Sequence, residues 1–198
     1  GAIGPMTGRS LLITAMLSLG LAAGPVWASA SRGGVLLDPE NRIRQSLLDE
    51  ALAALDRHAP YIKHKDRIGV VDYDLPSTAE RFFILDLESG SVDAFLTAHG
   101  RGSDLDHDGV IDAVSDEVGS GASSVGAYLT AGVYCGQNGK TLLLHGLDAT
   151  NANAFMRQIV LHATYMPGRV RYMNRDFIEA LGKPGRSCGC FVILAEDL

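Results

Sequence analysis

Residues 81–100 read RFFILDLESGSVDAFLTAHG, and the organisation of the domain turns on this stretch. Two apolar, β-prone runs, Arg81–Leu87 and Ser91–Gly100, flank Glu88-Ser89-Gly90, the spacing of a hairpin with a glycine-containing turn. The same texture recurs on both sides. IGVVDYDL (Ile68–Leu75) precedes the hairpin. GAYLTAGVY (Gly126–Tyr134), TLLLHGL (Thr141–Leu147), RQIVLHAT (Arg157–Thr164) and CFVIL (Cys190–Leu194) follow it. Several short strands joined by glycine-rich turns predict a mostly β, mostly antiparallel domain, a sandwich or barrel. One helix is expected in front of it. Asp38-Pro39-Glu40 supplies a capping aspartate, a first-turn proline and an acid near the positive helix end. Ile43, Leu47, Leu48, Ala51, Leu52 and Leu55 then recur at helical spacing up to about Arg57, which makes an amphipathic N-terminal helix. The chain shows no internal repeat and no low-complexity linker.

The beginning of the chain is of another kind. Residues 1–5 read as an expression scar before Met6. Arg9, the apolar run LLITAMLSLGLAAG (Leu11–Gly24) and the ending Ala28-Ser29-Ala30 have the layout of a secretory signal peptide over 6–30. The run is short for a membrane span. Cleavage after Ala30 is therefore expected, with a periplasmic or cell-envelope destination and no membrane span afterwards. The expected divisions are 31–66, the helix and a linker, and 67–198, the main domain. Subtracting 30 leader residues from 198 leaves 168, enough for one core. The whole chain carries 17 basic and 23 acidic residues, net −6, without a Lys/Arg cluster, which argues against nucleic acid as a partner.

Three cysteines, Cys135, Cys188 and Cys190, are an odd number for an exported protein and point to a free reactive thiol or an intermolecular pairing. A Cys188–Cys190 bridge would close a ring strained relative to normal disulfide geometry. No second Cys/His pair has zinc-finger spacing. Cys190 follows Gly189 at the start of a β-type run, where glycine permits a sharp turn and close approach of substrate. Backbone N–H groups at such a turn are suited to an oxyanion. A thiol nucleophile needs a base; His162, at the end of RQIVLHAT, is one candidate among six histidines. Arg186 offers a fork for a substrate carboxylate or is an ordinary surface arginine. Asn151 and Asn153 are expected to cap backbone rather than bind substrate.

DLDHDGVID (Asp104–Asp112) matches the first half of a calcium loop: aspartates at positions one, three and five, glycine at six, an apolar residue at eight. The twelfth position is Ser115 instead of a bidentate glutamate. Asp104, Asp106 and Asp108 are thus candidate ligands for a structural calcium, against the alternative of a solvated acidic turn.

IVLHAT and GRSCGCFVI resemble the His-Gly-Thr and Ser-x-Gly-Cys motifs of the L,D-transpeptidases, the YkuD-like enzymes, in the branch called the murein L,D-transpeptidase catalytic domain. VVDYDLPST, RFFILDL, AHGRGS, GSGASSVGAYLT, LHGLDATNANA and LGKPGRSCGCF are similar to further blocks of that branch, in the same order. The resemblance implies that Cys190 is the nucleophile and His162 its base. It places Ser187, Gly189 and Thr164 on motif positions, where with Arg186 they are expected to meet substrate or oxyanion, and Cys188 where many members carry histidine. It implies peptidoglycan stem peptides as substrates, 3→3 cross-linking after release of D-Ala, carbapenems as covalent inhibitors, and no required cofactor. The alternatives are an L,D-carboxypeptidase that trims tetrapeptide stems and a non-catalytic, calcium-stabilised wall-binding module. Ala163 replaces the glycine that commonly follows the histidine. Family members usually continue with a helix and a last strand, so a truncated C-terminal end is expected eight residues after Cys190.

Overall fold

The computed structural model describes residues 11–15, 30–136, 138–163 and 173–198. In chain order the elements are β1 (Leu11–Ala15), β2 (Ser31–Arg32), β3 (Val35–Leu36), α1 (Gln45–Arg57), β4 (Arg67–Asp72), β5 (Phe82–Asp86) and β6 (Val92–Phe95). They continue with β7 (Gly126–Gly136), β8 (Gly139–Gly146), β9 (Val160–Ala163), α2 (Arg175–Leu181) and β10 (Phe191–Ile193). Eight strands form one sheet in the order β10-β9-β8-β7-β1-β4-β5-β6, while β2 and β3 pair separately. The β1–β4 and β9–β10 pairs are parallel and the others antiparallel. The fold is mostly β, as the alternating runs predict.

Both faces of the sheet are apolar, and successive residues serve them alternately. Ile68 and Val70 of β4, Phe83 and Leu85 of β5, and Leu11 and Ile13 of β1 join Leu47, Leu48, Ala51, Ala54 and Leu55 of α1 in one cluster. Val71, Phe82, Ile84 and Leu12 turn the other way, onto Tyr73, Ile111, Ala154, Ile159 and Phe191. A helix thus covers one side and long loops the other, the layered arrangement of a sandwich. The hairpin forms where expected: Asp86 accepts the N–H groups of Glu88 (3.0 Å) and Ser89 (2.8 Å), and Gly90 takes a φ of 79°.

Three boundaries differ from the expectations. Asp38 does not start the helix. Its backbone is left-handed (φ 50°), and its carboxylate receives the N–H groups of Arg42 (2.9 Å) and Ile43 (2.7 Å), which closes a separate turn. α1 begins at Gln45, and Arg44 before it forks onto Asp72 of β4 (2.6 and 3.0 Å) and Asp74 (2.7 Å), fixing the helix entrance to the sheet. Arg157 and Gln158 lie outside β9, in the turn that leads into it. The third concerns the leader-like segment, whose Leu11–Ala15 runs through the middle of the sheet. It pairs with Ile68–Asp72 on one side and Gly126–Leu129 on the other. Cleavage after Ala30 would take this strand out.

Candidate active site

The register of the last two strands organises the site. In the parallel β9–β10 pair, Phe191 lies beside Leu161, Val192 beside His162 and Ile193 beside Ala163. Continued by one residue, the register sets Cys190 beside Val160. Leu161, Phe191 and Ile193 face the large core. Val192 and Cys190 turn to the opposite face, against Ala98, Met173, Leu194 and Ile178 of α2. Cys190 and His162 therefore share a face of adjacent strands, two residues apart in register. At about 3.3 Å per residue and 4.8 Å between strands, their Cα atoms are about 8 Å apart.

His162 is buried, and its Nδ1 lies 2.9 Å from the carbonyl oxygen of Ala163. A carbonyl only accepts, so Nδ1 carries the proton and Nε2 is left as a base. Burial lowers its pKa below the ordinary imidazole value, partly offset by that carbonyl. The Cys190 Sγ lies 3.6 Å from the carbonyl oxygen of Gln158, to which its S–H donates. Burial pushes the thiol's pKa up and nearby Cys188 adds to this, while the Val160 N–H and the Arg157 charge oppose it. Both groups thus rest neutral. Among the described residues no hydrogen bond joins Cys190 to His162; Thr164 lies outside the described residues.

The turn that delivers Cys190 is heavily determined. Ser187 Oγ accepts the Gly189 N–H (3.0 Å) and donates to the Cys190 carbonyl (2.8 Å). The Ser187 N–H donates to the His99 carbonyl (2.7 Å), and the Arg101 N–H donates to the Ser187 carbonyl (2.9 Å). Gly189 has a φ of 110°, and a Cβ there would sit 2.5 Å from the Ala122 carbonyl oxygen, so a side chain is excluded twice over. Ser187 and the Gly189 N–H are spent on shaping this turn. Cys188 and Cys135 are exposed free thiols. Arg186 donates to the carbonyls of Asp104 and Leu105, and Lys183 to that of His107, so the segment before the turn is clasped to the acidic loop.

Behind the turn lies a buried polar array that the sequence reading did not single out. Arg81 Nη2 lies 2.7 Å from His99 Nδ1, and His99 Nε2 lies 2.9 Å from Asp104 Oδ2; all three residues are at most 1% exposed. Guanidinium only donates, so Nδ1 accepts and the Nε2–H donates to Asp104, leaving the imidazole neutral. Burial first, and Arg81 second, hold the His99 pKa down to about 4. His99 belongs to the AHGRGS block, whose backbone meets Ser187, but nothing in that block announced the partners. Asp104, Asp106 and Asp108 offer oxygens within 4.8 Å of one another, a set suited to a hard cation. The Asp104 oxygens also receive His99 Nε2–H and the N–H groups of Asp108 (3.0 Å) and Gly109 (3.1 Å). Asn151 caps backbone as expected, exchanging hydrogen bonds with Asp148 and donating to the Ala127 carbonyl (2.8 Å).

An open cavity of about 480 Å³ begins at the residues that contact the sulfur. Gln158, Ile159 and Val160 line it together with Tyr134, Leu143, Leu144, Phe155 and Met156. Among the described residues no helix is long and apolar enough to cross a membrane. A family profile described as L,D-transpeptidase catalytic domain matches residues 39–198. No curated protein and no solved structure matches the chain.

Proposed function

This chain belongs to the L,D-transpeptidase catalytic domain family, and from that premise we propose that it is an exported cysteine acyltransferase that forms 3→3 cross-links between peptidoglycan stems. The observation that carries the reading is the β9–β10 register, which sets a neutral imidazole base and a glycine-delivered thiol on one face; Gln158 and Val160, whose backbone groups meet the sulfur, line the open cavity. The Cys190 thiol loses its proton to His162, and the sulfur attacks the carbonyl of the L-centre of the third stem residue. The tetrahedral intermediate collapses with loss of D-Ala, whose leaving nitrogen takes the proton back from His162. A thioester remains on Cys190. An amine of a neighbouring stem then attacks the thioester, the new amide forms, and the thiol is restored. Carbapenems would acylate the same sulfur.

Delivery to the cell envelope is read from Arg9, the apolar run and the Ala28-Ser29-Ala30 ending. Because Leu11–Ala15 is also β1, mass spectrometry of the exported protein's N-terminus tests the cleavage directly. For the reaction, the purified protein is incubated with a disaccharide-tetrapeptide and the products are weighed. A cross-linked dimer with free D-Ala supports the transpeptidase. Tripeptide with D-Ala and no dimer makes the enzyme an L,D-carboxypeptidase, with water as the acceptor. Wall binding without any product would leave a non-catalytic module.

A further inference from the structure

Resting on the reading of Cys190 as the nucleophile, we infer that Arg157 is a positioning residue, holding the Gly189–Cys190 turn and steadying the sulfur when it carries negative charge. The argument begins at the turn before β9. Gln158 donates its N–H to the Phe155 carbonyl (3.1 Å) and Ile159 donates to that of Ala154 (2.9 Å). This pair of bonds, with Gln158 left-handed at φ 56°, is the Schellman ending of a helical turn. Ile159 and Ala154 pack in the same core, the apolar contact that accompanies this ending.

The Schellman turn supplies three polar groups to the surround of the sulfur. It aims the Gln158 carbonyl at Sγ, presents the Val160 N–H to it, and sends the Arg157 side chain back under the Cys190 turn. The Arg157 side chain is only 3% exposed. Its Nη2 donates to the Ala122 carbonyl and lies 2.9 Å from where a Cβ of Gly189 would stand, so the cation packs directly against that glycine. Nη1 donates to the Ser115 carbonyl (2.8 Å), to Ser124 Oγ (3.2 Å) and to Asp116 Oδ1 (3.2 Å). Asp116 is the one anion that Arg157 meets among the described residues.

The resting thiol donates to Gln158 and needs no cation. When the proton leaves, Gln158 has nothing to accept, and the charge falls instead on the Val160 N–H and the Arg157 field, which burial strengthens. The other titratable groups near the sulfur are Cys188 in the same turn, His162 on the same face, and the Tyr73 phenol, which burial pushes up to about 12. Of these only His162 can become a cation, and only by taking the thiol proton; at rest it is neutral, so Arg157 is the standing positive charge beside the turn.

The test reads the thiol itself and needs no turnover, so it stands apart from the failure or success of the transpeptidase reading. In a Cys135→Ser, Cys188→Ser background, the rate of Cys190 alkylation by iodoacetamide is followed against pH. Arg157→Gln should raise the midpoint and slow alkylation about tenfold at pH values below it, because one pKa unit is a tenfold change in thiolate. Arg157→Lys should stay near the parent. Asp116→Asn, which frees the arginine of its counter-charge, should lower the midpoint and speed alkylation. Loosened packing admits water and lowers the midpoint whichever residue is changed, so a rise in Arg157→Gln beside a fall in Asp116→Asn separates charge from packing. An unchanged or raised midpoint in Asp116→Asn, or equal shifts in the lysine and glutamine variants, would overturn the inference; if Arg157→Gln does not fold, a lowered midpoint in an Asp116→Asn protein that melts as the parent does supports it, and any other result overturns it.

Discussion

Cys190 and His162 are each held in the uncharged form by burial, and the pH behaviour follows from the sign of each shift. A lowered imidazole pKa keeps the base free of its proton at pH values where a solvent-exposed histidine is already half charged. A raised thiol pKa keeps sulfur protonated at neutrality. Turnover should therefore hold steady as pH falls through about 6.5, and rise on the alkaline side as the thiol ionises; a rate that halves at the ordinary imidazole pKa would contradict this. His162→Gln should slow acylation by roughly 10²–10⁴-fold, the usual worth of a positioned base, measured by release of D-Ala. Gly189 could be read from the sequence as the pivot of a sharp turn, and its φ of 110° agrees; Ser187, expected at a substrate or oxyanion position, has its hydroxyl bonded within the turn instead. Arg157 could not be read. It reads as the first residue of an apolar strand, and a glutamine at a left-handed position carries no signal that the chain turns there.

The Ser187–Cys190 turn and β1 are the two elements on which most depends. Gly189→Ala forces a Cβ to within 2.5 Å of the Ala122 carbonyl and an L-residue into φ 110°. Strain of this kind costs about 1–3 kcal/mol, so this variant should melt earlier and lose Cys190 alkylation together; a fully reactive variant would show that the turn is not what presents the sulfur. β1 sits between β4 and β7 with Leu11, Leu12 and Ile13 at most 1% exposed. A chain beginning at Ser31 would leave two strand edges unpaired in the centre of the sheet, and its melting temperature should fall well below that of the whole chain. Equal melting temperatures would mean that the sheet does not need the strand. The hairpin at 81–100 was legible because strand alternation and a Gly-containing turn coincide there. β1 was not, since a five-residue strand covered on both faces has no alternation. Between Arg9 and an A-x-A ending, an apolar run reads as a leader. The helix start was misplaced for a similar reason: Asp38 has the right chemistry for a cap and uses it one turn too early.

Taken as a whole, the molecule has one large sheet with two apolar faces, and its buried polar groups include the Arg81–His99–Asp104 array behind the Cys190 turn. That array makes the fold sensitive to acid. The folded His99 resists protonation until about pH 4, whereas the unfolded chain takes the proton near 6.5. Its contribution to stability is complete above about 6.5 and is lost as pH falls from there to about 4. Melting temperatures should drop through that window, and less steeply in His99→Gln; parallel curves for the two proteins would remove His99 as the cause. The array was illegible because nothing in the residue types announces that Arg81, 18 positions before His99, and Asp104, 5 positions after it, meet on one buried imidazole. The family reading, by contrast, drew on blocks spread over most of the chain, and the match to residues 39–198 agrees with it. The most direct test of the central claim is intact-protein mass spectrometry after incubation with the disaccharide-tetrapeptide, followed by peptide mapping. The account predicts an acyl adduct, with D-Ala lost from the donor, on the peptide containing Cys190, retained in Cys188→Ser and absent in Cys190→Ser. An adduct that persists in Cys190→Ser, or one that disappears with Cys188, would contradict it.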